Sequence, residues 1–247
     1  FGALEASEAL SEKKIHPIIG CQINLDFSKS SESIKDQKAF VVLLAKSEVG
    51  YKNLMKLSSH SFLEAGDESP HISIELLEQY SKDLILLSGG PDGPIGKFLL
   101  NEKVREAENI ALELKKIFGD RLYIEVQRHK DEQGHYSYKE RITEPNFLKI
   151  AYENEIPIVA TNDVYFEDRE MFESHDALMC ISNGEYVDNR DEKNRLTRNH
   201  HFASQDEMMK TFEDLPEAIE NTIEIAVRCA FKVERRDGYL WAPYVNK

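Results

Sequence analysis

Eight histidines are the first candidates for chemistry in this sequence, at positions 16, 60, 71, 129, 135, 175, 200 and 201. None forms His-x-His or His-x-x-x-His, so no local spacing declares a metal site. His200 and His201 are adjacent, and on an extended strand their side chains would point apart. Two polar positions are better placed. His129 follows the run Leu122–Gln127, and Asp163 follows Ile156–Thr161. Both therefore lie just past the end of an expected strand, the edge at which parallel α/β folds build their sites. Asn162-Asp163 is equally a good strand-to-loop break, so turn chemistry stands beside the functional reading.

Other patterns carry less. Leu87-Ser88-Gly89-Gly90-Pro91-Asp92-Gly93-Pro94-Ile95-Gly96-Lys97 invites a phosphate-loop reading, but Phe98 follows the lysine where Ser or Thr is required. Its two prolines also remove N–H donors from any phosphate cradle, so it reads as a strand-ending turn. The charge run Arg128, His129, Lys130, Asp131, Glu132 reads as a solvated loop. Two-metal polymerase or nuclease chemistry needs convergent carboxylates, and the sequence holds no Asp-x-Asp.

The elements that must position these residues are legible as β-rich runs alternating with helical patterns. Ile18-Ile19 and Ile23–Phe27 flank Gly20-Cys21-Gln22, followed by Ala39–Ala45, Leu84–Leu87, Leu122–Val126 and Ile156–Ala160. Phe40-Val41-Val42-Leu43-Leu44 does not alternate in polarity, which predicts a strand buried on both faces of a parallel sheet. Val104, Ala107, Ala111, Leu114 and Phe118 step by helical spacing, and Gly119 stops that helix. Ser204 and Glu207 are spaced as a capping box. Pro216 opens a further helix with Ile219, Ile223, Ala226 and Val227 as its apolar stripe. Strand signals fade after about Phe172. The expected division is therefore a β/α body over 1–171 and a helical extension over 172–247.

Among 247 residues, 45 Asp and Glu face 31 Lys and Arg, a net charge of −14 that repels phosphate backbones. The cluster Arg190, Lys193, Arg195 and Arg198 is interrupted by Asp188, Asp191 and Glu192, which argues against template grip. No apolar run reaches the length of a membrane span. Cys21, Cys180 and Cys229 form no C-x-x-C pair, which suits a reducing, cytoplasmic setting. Phe1 at the start and Tyr239–Lys247 at the end suggest a piece of a longer protein.

Several stretches, read in order, resemble a known family. They are Pro17–Cys21, Leu43–Lys46 with Gly50–Leu54, Leu84–Gly90, Tyr123–His129, Pro157–Val164, His175-Asp176 with Cys180-Ile181, and Pro216–Thr222. Their order and spacing resemble the N-terminal PHP (polymerase and histidinol phosphatase) domain of bacterial DNA polymerase III alpha subunits, over nearly the whole chain. The resemblance implies a distorted β/α barrel of PHP type, incomplete at its N-terminus, with a C-terminal helical extension leading toward a polymerase palm. It also implies a metal cluster at the strand ends of active members.

The family pattern matches at His129 and Asp163. It expects an acid where Gln22 stands, a histidine where Phe40 stands, and a histidine where Tyr165 stands. A carboxamide is a weak ligand, Phe is none, and neutral Tyr is poor. No metal is therefore expected, with His129 and Asp163 as weak candidates. The resemblance implies a non-catalytic module of a replicative polymerase that docks the proofreading exonuclease subunit. Other holoenzyme subunits, and primed DNA held by other domains, would be partners, with Mg2+ serving a downstream polymerase domain. The alternative is a metal-dependent phosphoesterase or 3′-5′ exonuclease of PHP type, with Tyr165 recruited as a phenolate. An unrelated α/β enzyme sharing strand-end patterns is the third reading.

Overall fold

The β-branched and leucine-rich runs become the strands of one six-stranded sheet: β1 (Gly20–Asp26), β2 (Lys38–Ala45), β3 (Ile72–Ser73), β4 (Leu84–Leu87), β5 (Leu122–Gln127) and β6 (Ile158–Thr161). The computed structural model describes residues 2–28, 34, 37–131, 133–186 and 196–233. Strand order is β3-β1-β2-β4-β5-β6. β1 with β3, β4 with β5, and β5 with β6 pair parallel, whereas β2 is antiparallel to both its neighbours. This mixed α/β sheet is consistent with a PHP-type barrel. Among the described residues it is open, with β3 and β6 at its edges.

Nine helices accompany it among the described residues: α1 (Ala3–Glu12), α2 (Glu48–Leu63), α3 (Ile74–Gln79), α4 (Pro94–Leu100), α5 (Val104–Phe118), α6 (Tyr138–Glu153), α7 (Phe172–Asn183), α8 (Gln205–Thr211) and α9 (Pro216–Arg228). α5 buries Ala107, Ile110, Ala111, Leu114 and Phe118, and Gly119 ends it at φ 58°. The capping box at Ser204 is present, with the Ser204 hydroxyl accepting from the Glu207 N–H and the Glu207 carboxylate accepting in return. Such a cap contributes about 1 kcal/mol.

The main core joins Leu25, Leu43, Leu86, Ile124 and Ile158 on one sheet face to α2, α4, α5 and α6. Each large aliphatic side chain fully buried there contributes roughly 1.5–3 kcal/mol. Phe212, Leu215 and Ala218, from the expected helical extension, enter the same core. On the opposite face, Ile85, Leu87, Tyr123 and Val159 meet Ile225 of α9 and Cys229. α9 lies along the edge strand β6, and Asn221 Nδ2 donates to the Ile158 carbonyl at 2.8 Å.

Three expectations are corrected. Gly20-Cys21-Gln22 does not separate two strands but opens the single strand β1. β2 is not buried on both faces. Val41 and Leu43 point into the core, while Phe40, Val42 and Leu44 are half-covered. Its antiparallel pairing sets one row on the core and the other row on a thinly covered face, although both rows are apolar. In α9 the buried positions are Ala218 and Ile225, and Ile223 and Val227 point outward.

Candidate functional site

Beyond β5 the chain continues as Arg128-His129, and His129 is 2% exposed. Its backbone N–H donates to both carboxylate oxygens of Glu140 at 3.1 and 3.0 Å. Its ring Nδ1 lies 2.6 Å from Glu140 Oε1, and Nε2 lies 2.8 Å from Asn162 Oδ1. Asn162 Nδ2 donates to the His201 carbonyl at 2.7 Å, which fixes the amide with its oxygen toward His129. Both ring nitrogens thus face acceptor oxygens. Glu140 is placed by the start of α6, where it forms a capping box with Ser137.

His200 stacks on His129 with centroids 3.8 Å apart and planes 9° from parallel. Its Nδ1 accepts from the Thr197 N–H at 3.0 Å. Burial, aided by the charge on His129, pushes the His200 pKa down to about 3, so this partner is neutral at physiological pH. His201 turns the other way, with Nε2 3.5 Å from Glu207 Oε2. The adjacent pair thus meets different partners, with His200 closing a turn on the Thr197 carbonyl rather than lying in a strand.

Asp163 and Tyr165 join this group from the end of β6. The Tyr165 side chain lies beside the Asp163 carboxylate, and its ring packs edge-on against His175 and His200. Burial raises the Asp163 pKa, opposed by the charge on His129. Burial and the Asp163 charge push Tyr165 up to about 12. Tyr165 is therefore a neutral donor rather than a phenolate.

Gln22 and Phe40 lie on the β1–β2 pair. Gln22 is exposed on β1 opposite Val42, which itself pairs with Leu87. Phe40 reaches the Gly89 turn through its carbonyl, for a Cβ on Gly89 would sit 2.2 Å from Phe40 O. Gly89 adopts φ 80°, a conformation natural to glycine, and aims its N–H at the carboxylate of Glu125. Thr161 Oγ1 donates to the other Glu125 oxygen at 3.0 Å. Glu125 is buried within β5, and burial pushes its pKa up to about 7. The structure brings His129, Asp163 and Tyr165 into one cluster and leaves Gln22 and Phe40 on the β1–β2 pair.

Of the run expected as a solvated loop, Arg128 and His129 are anchored instead, Lys130 is exposed, and Glu132 lies outside the described residues. Every side-chain nitrogen of Arg128 has a partner among Glu144, Asp214 and the Thr211 carbonyl. The Asp214 and Glu144 bonds raise its pKa further above the ordinary value, against the cost of desolvation. A planar guanidinium can be used up this way by two carboxylates and a carbonyl, which residue-level charge counting does not foresee. Arg128 lines a cleft of about 410 Å³ beside the cluster, where Arg169 pairs with Glu207 at 2.8 Å. Arg198 pairs with Glu173, while Arg190, Lys193 and Arg195 lie outside the described residues.

Comparison with known proteins decides the family. A model of the PHP domain matches residues 1–129. The chain belongs to the PHP domain family. It is 41% identical over 242 residues to DNA polymerase III subunit alpha of Caulobacter vibrioides, covering 97% of this chain and 21% of that protein. It is 36% identical to the protein of the same name from Borreliella burgdorferi, over 93% of this chain and 20% of that one. For Helicobacter pylori the figures are 32%, 96% and 20%. This PHP chain thus spans about a fifth of the length of these relatives.

The metal cluster that the PHP resemblance implies is a poor match to the side chains present. Among the described residues, no group of three or more His, Cys, Asp or Glu side chains is placed to hold a metal ion. His129 has both nitrogens directed at oxygens. Sequence reasoning found His129, Asp163 and Tyr165, named Asn162 and His200 without their roles beside His129, and missed Glu140. The spacing Ser137-x-x-Glu140 was a capping-box signal that would have located Glu140 at a helix start. No local pattern marks Asn162 or His200 as partners of His129.

Proposed function

We propose that this chain is the PHP module of a replicative DNA polymerase III alpha subunit. In that reading it serves DNA replication as a structural part that docks a proofreading exonuclease subunit, not as a metal phosphoesterase. The observation that carries the second statement is the His129 ring, closed between Glu140 and Asn162 at 2.6 and 2.8 Å. A nitrogen already directed at a protein oxygen must lose that bond before it can bind a cation. The neutral Tyr165, the carboxamide of Gln22 and the phenyl of Phe40 support the same reading.

Nucleotide transfer would then belong to other domains of a longer polypeptide, with Mg2+ at their site and primed DNA in their grip. Residues 1–171 would form the barrel body, with 172–247 leading toward the palm. Other holoenzyme subunits would be further partners, in the cytoplasm. Among the described residues no helix is long and apolar enough to cross a membrane. The charge of −14 supports weak DNA binding by the module itself.

Isothermal titration with Mn2+, paired with a phosphate-monoester hydrolysis assay, tests this. The expected result is no saturable binding and no hydrolysis. Stoichiometric Mn2+ binding that disappears in Asp163→Asn would overturn the metal-inactive reading. Failure of the purified exonuclease subunit to co-elute with the protein would overturn the docking role.

A further inference from the structure

Part of the apolar stripe that the sequence placed inward on α9, Ile223 and Val227, is turned outward in the structure. α9 has two apolar rows. Ala218 and Ile225 enter the cores, while Ile219 is half-buried and Ile223 and Val227 are 62% and 68% exposed. Ile219, half-buried against the core, and the outward Ile223 and Val227 stand at i, i+4 and i+8, so they line up along about two turns of one helix face whose exposed part is its C-terminal half. Single exposed aliphatics are ordinary, but an aligned row on a rigidly backed helix is a surface with a shape. The backing is firm, since Asn221 ties α9 to the Ile158 carbonyl.

Charge gives this row a direction. Helical spacing puts Glu220, Glu224 and Glu217 together along one side of the stripe. Glu220 and Glu224 are exposed, and Glu217 accepts from the Tyr152 hydroxyl at 2.5 Å. The helix's one cation, Arg228, is drawn away at its C-terminus by Asp120 at 2.8 Å and by the Tyr123 hydroxyl at 2.9 Å. An apolar row with a negative row beside it is complementary to a helix whose leucine-like row is flanked by Lys or Arg.

We propose that the Ile219–Ile223–Val227 row with its acidic flank is a docking face for a basic amphipathic helix of a partner polypeptide. This assignment does not depend on the state of the His129 cluster. The test is fluorescence anisotropy with a dye-labelled amphipathic peptide bearing a leucine row and a lysine row, against a counterpart carrying glutamates. The leucine–lysine peptide is expected to bind saturably, in the region of ~10 μM. The double variant I223S/V227S should weaken it by about tenfold or more, because truncating central apolar anchors removes most of the contact energy. E220K/E224K should weaken the lysine peptide and improve the glutamate peptide. Circular dichroism melting checks that both variants retain the fold, which exposed positions should allow. Equal binding of the two peptides, or binding indifferent to both double variants, overturns the proposal. Sedimentation showing a dimer that I223S/V227S dissolves would also overturn it, by making a second copy the occupant.

Discussion

β4, β5 and β6 run parallel, bury both faces along nearly their whole length, and end in polar side chains that hold one another. β1 and β2 run antiparallel, and their alternate side chains stay half-covered or exposed. Site positions fall on both halves. On the parallel half, His129 is held by Glu140 and Asn162 and stacked by His200, which also packs edge-on against Tyr165. On the hairpin half, Gln22 and Phe40 line a face with no comparable network among the described residues. A polar group must be satisfied when buried, whereas an exposed one need only be hydrated. The parallel half therefore carries an internal hydrogen-bond network around His129, and the hairpin half carries half-covered or exposed side chains.

The largest effect should come from cutting that network at Glu140. Its carboxylate serves the His129 N–H, the His129 ring and the Ser137 N–H at once. Glu140→Ala leaves a buried ring donor and two backbone donors unpaired, for an expected loss of about 3–5 kcal/mol. Urea unfolding at pH 7 measures it. A loss below about 1 kcal/mol, the scale of an ordinary surface change, would erase the contrast between the halves.

A second, smaller effect has a pH signature. Burial raises the pKa of Glu125 to about 7 in the folded protein. The ordinary value, taken for the unfolded chain, is about 4.3. Between these values the folded state binds the extra proton, so stability from this group rises as pH falls through 7. Above pH 7 the ionised carboxylate costs stability. Glu125→Gln is neutral throughout, and its amide can meet both neighbours. The oxygen accepts from Gly89 N–H, and the Thr161 hydroxyl turns to accept from the amide NH2. The variant should be more stable than the parent at pH 8 by on the order of 2 kcal/mol, with the gap closing toward pH 4.5. Thermal melting across that range checks it, and a variant less stable at pH 8 would show that the carboxylate's hydrogen bonds outweigh its desolvation.

The contrast also explains what was legible in the sequence. Leu84–Leu87 and Leu122–Val126 read correctly because a run buried on both faces leaves an unbroken apolar signature. Phe40–Leu44 carries the same signature with only one face well buried, so composition alone misreads it. α9 holds two apolar rows, and the sequence favours the bulkier one. Tyr123 and Val159 decide the matter by packing on Ile225 instead. His129 and Asp163 were visible as polar residues at strand ends. Their partners were not, because Asn162 lies 33 residues from His129 and its role depends on how β5 and β6 pair.

The smallest effect is expected at Gln22, and its smallness is informative. The side chain is exposed on β1, opposite Val42, and Ile23 and Leu25 carry the core-facing row. Gln22→Glu restores the acid that the family pattern expects, but the new carboxylate keeps its hydration and displaces no buried partner. Stability should change by less than about 0.5 kcal/mol. Adding Phe40→His and Tyr165→His restores two imidazoles, yet His129 would still be held between Glu140 and Asn162, so the triple variant should hydrolyse no phosphate ester with added Mn2+. Isothermal titration of the single and triple variants provides the comparison. If Gln22→Glu alone produced tight Mn2+ binding, the two halves would have to share one site. The network around His129 would then be a resting arrangement that a cation can open.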